Sequence, residues 1–196
     1  MAELTTPRPI SGAGTDLRKQ EDVKRLYLLR HAKSSWGDPH LSDRDRPLAP
    51  RGQRAATTLG RHLRSMGIQP EEVLCSTAAR ARQTLDGLLP FLDPHVVVHL
   101  EQEIYRADSD ELLERLRELS ANTISVMLVG HNPSIQELAV TLANESGRQQ
   151  LAARARLAEK FPTGGLAAFT VSSDEWSELG RCQAHLERFL VPRELR

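Results

Sequence analysis

Two uninterrupted apolar runs stand out along the chain and predict two buried strands. Residues 24–30, KRLYLLR, contain four consecutive apolar side chains, and residues 123–130, TISVMLVG, contain a second run of this kind. A strand that is covered by helices on both faces shows such a run, whereas a half-exposed strand alternates between apolar and polar residues. The pattern therefore predicts that both segments lie inside a parallel sheet.

The rest of the pattern alternates short apolar runs with segments whose apolar residues recur at helical spacing. The predicted helices are residues 50–65, 78–89, 108–119, 133–143 and 149–160, and the predicted further strands are residues 72–75, 96–100, 165–171 and 181–190. Strands that alternate with helices are typical of an α/β domain with a mostly parallel sheet.

Start signals place the ends of several helices. Pro50 and Pro133 stand in first turns, where the missing backbone N–H has no helical partner to lose. Ser76 or Thr77 is expected to cap the second helix, and Ser109 the third, because a hydroxyl oxygen accepts from the free N–H groups of a first turn.

Composition favours one domain and argues against several classes of partner. The 196 residues suit a single core, which we assign to residues 23–196, and residues 1–22 are predicted to be a disordered tail because they are rich in Pro, Gly, Thr and charge. The 26 basic and 26 acidic residues balance, so neither nucleic acid nor a membrane surface is an expected partner. Without an apolar span, a secretory segment or paired cysteines, the expected location is the cytoplasm.

Basic residues follow three predicted strands at the points where those strands end. Arg30 and His31 follow the first strand, His131 follows the second long apolar run, and Arg80 lies in the first turn of the helix after residues 72–75. Carboxyl ends of parallel strands meet at one edge of a sheet, where ligands bind. Guanidinium groups suit phosphate because they donate two parallel hydrogen bonds. The spacing therefore predicts an electropositive phosphate site.

These segments resemble three motifs of one enzyme family. RHAKSSW (residues 30–36), STAARARQT (76–84) and VGHNPSI (129–135) are similar to the R-H-G/A, S-x-x-x-R-A-x-Q-T and second-histidine motifs of the histidine phosphatase superfamily. The RHAKSSW variant and the DRDRPLAPRG run at 43–52 most resemble its SixA-like phosphohistidine phosphatase branch. The resemblance spans about residues 24–192. It implies a three-layer α/β/α sandwich of the phosphoglycerate mutase-like type without a large cap insertion, and a phosphohydrolase that needs no cofactor.

The resemblance implies a role for each residue of the pocket. His31 matches the nucleophile that becomes phosphohistidine, Arg30 and Arg80 match the phosphate-binding arginines, and His131 matches the second histidine, which hydrogen-bonds the transferring group. Asn132 is a further phosphate-binding candidate. The roles agree with chemistry, since imidazole with an ordinary pKa of about 6.5 is a competent neutral nucleophile, and no carboxylate cluster suited to a metal is evident in the sequence.

The chain departs from the mutase branch at two positions and leaves the general acid open. Lys33 and Gly37 stand where that branch has Glu and Asn, so the pocket has one phosphate donor fewer. Glu103 lies nearest to the expected place of the acid, and Glu101 and Asp108 are alternatives.

Alternative functions and minor features also stay open. The leading hypothesis is a phosphatase whose substrate is phosphorylated, including a phosphohistidine carried by a partner protein. The alternatives are a small-metabolite phosphomonoesterase, a phosphomutase and, least favoured, a phosphate-binding module without catalysis. The charged run at 43–46 is either a solvated loop or part of the site, Trp36 is expected at the pocket edge, and His95 and His99 lack a third ligand for a metal.

Overall fold

A computed structural model of the chain describes residues 23–143 and 148–195, so the predicted tail at 1–22 lies outside the described residues. The strands are β1 (Lys24–Arg30), β2 (Glu72–Ser76), β3 (Val97–Glu101), β4 (Ser125–Gly130), β5 (Leu166–Val171) and β6 (Ala184–Leu190). The helices are α1 (Pro50–Ser65), α2 (Ala79–Leu88), α3 (Ser109–Arg117), α4 (Ser134–Leu142) and α5 (Arg148–Glu159). Each predicted element is present, and its ends differ from the predicted ones by at most three residues.

The six strands form one sheet in the order β3-β2-β4-β1-β5-β6. Strands β3, β2, β4 and β1 run parallel to one another, whereas β5 is antiparallel to both β1 and β6. The two long apolar runs, β1 and β4, lie inside the sheet, as predicted, and are neighbours there. Their register pairs Arg30 with Gly130, so both strands end at the same level.

Helices cover both faces of the sheet, which gives the expected α/β/α sandwich. Successive residues of β1 alternate between the two cores: Leu26 and Leu28 face the core under α3, α4 and α5, and Tyr27 and Leu29 face the core under α1 and α2. Burial on both faces explains why β1 is apolar without interruption. Among the described residues, no helix has both the length and the apolar character needed to cross a membrane.

The capping residues differ from those expected. Asp108, rather than Ser109, caps α3, because its carboxylate accepts from Asp110 N and Glu111 N at 2.9 Å each and Glu111 closes a capping box. No side chain caps α2 at its N-cap residue, Ala78. The first N–H of that helix, from Ala79, instead donates to the backbone oxygen of Arg44 at 2.9 Å.

Candidate active site

His31 and His131 lie side by side at the carboxyl edge of the sheet. Each follows the end of a central strand, and the backbone N–H of His31 donates to Gly130 O at 3.0 Å. Their ring centroids are 5.1 Å apart. Only 7% of His31 and 9% of His131 is exposed, so the two rings form the floor of a nearly buried site.

Hydrogen bonds fix the tautomer of His31. Its Nδ1 lies 2.7 Å from the carbonyl oxygen of Ala32, which can only accept, so Nδ1 carries the proton. Its Nε2 accepts from Nε of Arg80 at 3.2 Å. Nε2 therefore has its lone pair directed toward the guanidinium, as a nucleophilic nitrogen beside a phosphate site requires.

Arg80 is held in place from several directions. Its Nη2 donates to Oδ2 of Asp43 at 2.8 Å, and its Nη1 donates to the backbone oxygen of the same residue. Thr84 connects helix and strand, because its hydroxyl donates to Arg80 O at 2.6 Å and accepts from Ala32 N at 2.9 Å. The guanidinium is 7% exposed and is thus fixed relative to His31.

Arg30 extends from the end of β1 toward the loop before β5. Its Nη1 donates to Phe161 O at 2.7 Å, while its buried Nε has no partner among the described residues. The pKa of Arg30 is lowered by burial and by the charge of Arg80, so the two guanidiniums share one electrostatic environment. A buried donor that lacks an acceptor is the group that an anionic ligand would satisfy.

Asn132 uses its amide donor within the protein. Nδ2 donates to Gln136 Oε1 at 2.8 Å and to Phe161 O at 3.3 Å, and the buried Oδ1 has no partner among the described residues. In this orientation the side chain offers an acceptor, whereas phosphate needs a donor. Phosphate binding by Asn132 stays a prediction that requires the amide to turn.

His131 contacts a residue that the motifs did not single out as a ligand. Its Nε2 lies 2.8 Å from the hydroxyl oxygen of Ser76, at the end of β2, and its buried Nδ1 has no partner among the described residues. The ring of Tyr105 meets it edge-on, with centroids 5.4 Å apart. Ser76 and Tyr105 therefore orient the imidazole.

Both histidines are strongly biased toward the neutral form. The pKa of His31 is lowered to about 3, mainly by burial and also by the charges around it, while the hydrogen bond to Ala32 opposes the shift. The pKa of His131 falls to about 4, first through burial and then through the charge of Arg80. Neutral imidazole is the form with a nucleophilic lone pair.

The three candidate acids differ in their availability. Glu101 is bound to Arg115, with oxygen–nitrogen distances of 2.7 and 3.0 Å, and Asp108 caps α3. Glu103 lies on an exposed turn and lines a cavity of about 500 Å³ together with Asp43 and Tyr105. Its carboxylate makes no hydrogen bond within residues 23–143 and 148–195. Glu103 is thus the free carboxylate of the three.

Asp43 and Tyr105 belong to the site, although the motif roles did not include them. The Tyr105 hydroxyl donates to Asp43 Oδ2 at 2.8 Å, the same oxygen that Arg80 contacts. Burial alone would raise the pKa of Asp43, but the hydrogen bond from Tyr105 and the charges of Arg80 and Arg46 lower it. The sequence signal for these contacts is the charged run at 43–46, for which the sequence alone allows either a solvated loop or part of the site.

Arg46 holds Asp43 in place, and Trp36 packs on Arg46. Buried Arg46 donates from Nη1 to Asp43 Oδ1 at 2.8 Å and from Nη2 to Ser34 Oγ at 2.8 Å. The indole of Trp36 covers this guanidinium, with Cζ of Arg46 3.3 Å from the ring centroid, and is itself 73% exposed. Trp36 therefore packs on an arginine that holds the site, rather than on the pocket wall.

His99 lies on β3 and His95 lies just before that strand, so neither occupies the strand ends that carry the site. His99 contacts Glu72 at 3.1 Å, and His95 is exposed. Within the described part of the chain, no three His, Cys, Asp or Glu side chains are grouped so that they would hold a metal ion.

Comparison with known proteins places this geometry among phosphatases. The model of the histidine phosphatase superfamily (branch 1) matches residues 26–104. An uncharacterized protein of Mycobacterium leprae is 40% identical over 170 residues, which cover 84% of this chain and all of that protein. A structure assigned as phosphohistidine phosphatase SixA from Nakamurella multipartitia is 31% identical, with a TM-score of 0.73, and the match covers 87% of this chain and 96% of that chain. A SixA structure assigned in the same way from Agrobacterium tumefaciens also has 31% identity and a TM-score of 0.73, over 86% and 98% of the two chains.

Proposed function

Since the chain belongs to the SixA-like branch of the histidine phosphatase superfamily, we propose that this phosphatase hydrolyses phosphohistidine through a phosphorylated His31. The observation that carries the proposal is the unprotonated Nε2 of His31, which lies 3.2 Å from Arg80 Nε in a nearly buried site. Phosphoryl transfer needs an in-line nucleophile and donors for the equatorial oxygens, and little other covalent chemistry. His31 and Arg80 would supply both.

The reaction would proceed in two displacements. Nε2 of His31 attacks phosphorus, the bond from phosphorus to the leaving nitrogen or oxygen breaks, and the leaving group takes up a proton. Water then attacks the phosphorus on His31, the new P–N bond breaks, and inorganic phosphate leaves. Arg80 would exchange its bond to Nε2 for a phosphoryl oxygen, while Arg30 and His131 would direct their unpartnered nitrogens, Nε and Nδ1, to the other oxygens.

Phosphohistidine fits the acid–base groups of the site better than an alkyl phosphate does. Expulsion of an alkoxide requires a well-placed acid. Imidazole leaves more easily, because the departing nitrogen belongs to a group with a pKa of about 6.5. Asp43, the carboxylate in contact with Arg80, has a lowered pKa and is therefore a poor proton donor. An uncapped site would also admit a histidine on the surface of a partner protein.

A matched pair of peptides tests the substrate. One peptide carries phosphohistidine and the other carries phosphoserine at the same position, and kcat/KM is measured for both with wild type and with Glu103→Gln. We expect the phosphohistidine peptide to be the better substrate and Glu103→Gln to leave that preference in place. A better phosphoserine substrate whose turnover is lost in Glu103→Gln would instead identify a phosphomonoesterase with Glu103 as its acid.

That phosphomonoesterase is the second candidate, and one observation favours it. Glu103 lines the cavity beside Asp43 and Tyr105 with a carboxylate that no described residue binds, so it is available to protonate an alkoxide.

The proposal for this protein also includes metal independence, a single domain over residues 23–196 and a cytoplasmic location.

A further inference from the structure

A polar cleft of about 500 Å³ adjoins the proposed phosphate site. Asp43 and Tyr105, which contact Arg80, form part of its wall, so the cleft lies beside a phosphate bound at Arg80. The rest of the wall is polar or charged and includes Arg44 and Arg106. None of the described residues that line the cleft is aliphatic, which makes an apolar leaving group a poor fit.

Arg44 is fixed at the rim of this cleft. Its Nη2 donates to Thr77 Oγ1 at 2.8 Å, and its backbone oxygen accepts from Ala79 N at 2.9 Å, the first N–H of the helix that carries Arg80. Both arginines are therefore anchored to the same turn of chain. A guanidinium held in this way loses little side-chain entropy when it binds a ligand.

Most of the donors of Arg44 remain available. Both side-chain hydrogen bonds of Arg44 come from Nη2, which donates to Thr77 and, at 3.5 Å, to Gln102. Nε and Nη1 have no acceptor among the residues that the structure describes. The guanidinium of Arg44 is half-buried, has unused donors and faces the cleft. It can therefore bind an oxyanion of a substrate there.

The charged side chains around the cleft give it a net positive charge that favours binding of an anion. Asp43 is neutralised by Arg80 and Arg46, at 2.8 Å each, and therefore repels little. Arg44 and Arg106 then face a single unpaired carboxylate, that of Glu103. Arg106 is exposed and makes no side-chain hydrogen bond or ion pair within the described ranges, so it is free to assist Arg44.

We propose that this cleft is a subsite for a second anionic group of the substrate, carried by the leaving group and bound by Arg44 with help from Arg106. The inference rests on the proposed function, because it assumes that the phosphoryl group occupies the site of His31. The ligand chemistry is a carboxylate or phosphate on the leaving group, as in an acidic residue beside a phosphohistidine or in a small dianionic metabolite.

Two aryl phosphates of matched shape test the subsite. One bears a meta carboxylate and the other a meta carboxamide, so they differ in charge and little else. We expect kcat/KM of wild type to be about tenfold higher for the carboxylate, the effect of one charge-assisted hydrogen bond, and the ratio to fall with added salt. Arg44→Gln should bring the ratio close to one, and Arg44→Lys should restore part of it.

Arg82→Gln is the matched control, because Arg82 is an exposed arginine on the same helix as Arg80 but outside the cleft. It should keep the ratio of wild type. A wild-type ratio near one, or an equal ratio in wild type and Arg44→Gln, overturns the subsite while phosphatase activity upholds the proposed function. Absence of turnover for both esters, and for a phosphohistidine peptide, refutes the function itself and the subsite with it.

A second pair distinguishes the two sources of the anionic group. Phosphohistidine peptides with Glu or Gln next to the phosphorylated residue are compared in wild type and Arg44→Gln. Where Arg44→Gln has removed the ester preference, a Glu preference that also disappears in the variant assigns the subsite to an acidic protein segment. A preference confined to the small carboxylate ester supports the subsite and assigns it to a metabolite, and a preference in neither pair overturns it.

Discussion

The imidazole rings of His31 and His131 lie 5.1 Å apart because the residues before them are register partners on adjoining parallel strands. Both Nε2 of His31 and the ring of His131 would therefore lie next to the same bound phosphoryl group. Since each ring follows a strand end, its position depends on the sheet rather than on a mobile loop. A rigid scaffold of this kind keeps reacting atoms within the narrow geometry that transfer requires.

Replacing the proposed nucleophile should stop the chemistry and leave the fold intact. His31→Asn keeps a polar side chain of similar size but lacks the nucleophilic nitrogen, so we expect kcat to fall by about a thousandfold or more. With labelled substrate and rapid quenching, wild type should carry an acid-labile, base-stable phosphate that the variant lacks. His95→Asn, an exposed histidine outside the site, serves as control. Turnover in His31→Asn near that of wild type would refute the mechanism.

Loss of Arg80 should be more costly than loss of a neighbouring arginine. Arg80 contacts His31 and Asp43, so Arg80→Gln removes a preorganised donor, at a cost on the order of 3 kcal/mol in barrier, or about a hundredfold in kcat/KM. Arg82→Gln should change kcat/KM by less than about twofold. Steady-state rates with an aryl phosphate measure both variants, and equal losses would mean that Arg80 has no special role.

The buried histidines should make stability depend on pH. Their pKa values, about 3 for His31 and about 4 for His131, lie below the value of about 6.5 in an unfolded chain. The unfolded state then binds more protons between these values, so the stabilisation is complete above pH 6.5 and declines as the pH falls. Lowering the pH from 7.5 to 5 should decrease the free energy of unfolding by up to about 2 kcal/mol for each histidine. Urea unfolding of His31→Asn/His131→Asn should show a smaller decline, whereas an identical decline would contradict the assignment.

The elements that carry the site were predictable because burial leaves a clear mark on sequence. Strands β1 and β4 are covered on both faces, so their apolar runs identify them, and the residues that follow them are brought together by the sheet. The positions of His31, His131 and Arg80 thus follow from a periodicity argument and from motif resemblance. Asp108 could not be separated from Ser109 as a cap, because both are good capping residues one position apart.

Long-range side-chain contacts were not predictable. Asp43 lies in a loop, and its contact with Arg80 depends on how residues 37–49 fold back over α2. Tyr105 lies on a short turn after β3, and its hydroxyl reaches Asp43 across ~60 residues of chain. Neither contact leaves a periodic signal, since loop backbones are fixed by tertiary contacts rather than by local spacing.

The reaction should proceed without a metal and should be blocked by a phosphate analogue. In the proposed mechanism two guanidiniums would neutralise the phosphoryl charge, and the two neutral histidines would act as nucleophile and hydrogen-bond donor, so no metal ion has a role in any step. We expect activity to be unchanged after incubation with EDTA and to be inhibited by vanadate competitively with substrate. Loss of activity in EDTA that one divalent metal restores would contradict metal independence.

Substitution of Asp43 should reduce turnover of every substrate, whereas substitution of Glu103 should reduce turnover of alkyl phosphates only. Asp43 accepts from Arg80 and Tyr105 through Oδ2 and from Arg46 through Oδ1, each at 2.8 Å, which favours the ionised form and a role in holding Arg80. Asp43→Asn keeps the shape but removes the charge, so kcat/KM should fall by about tenfold or more for phosphoramidate and alkyl phosphate alike. Glu103 contacts no described residue, so Glu103→Gln should affect only alkyl phosphates, whose leaving group needs a proton. Both variants are compared on the two substrates across pH 5 to 8. A loss in Asp43→Asn that is confined to the alkyl phosphate would make Asp43 the general acid and overturn its positioning role.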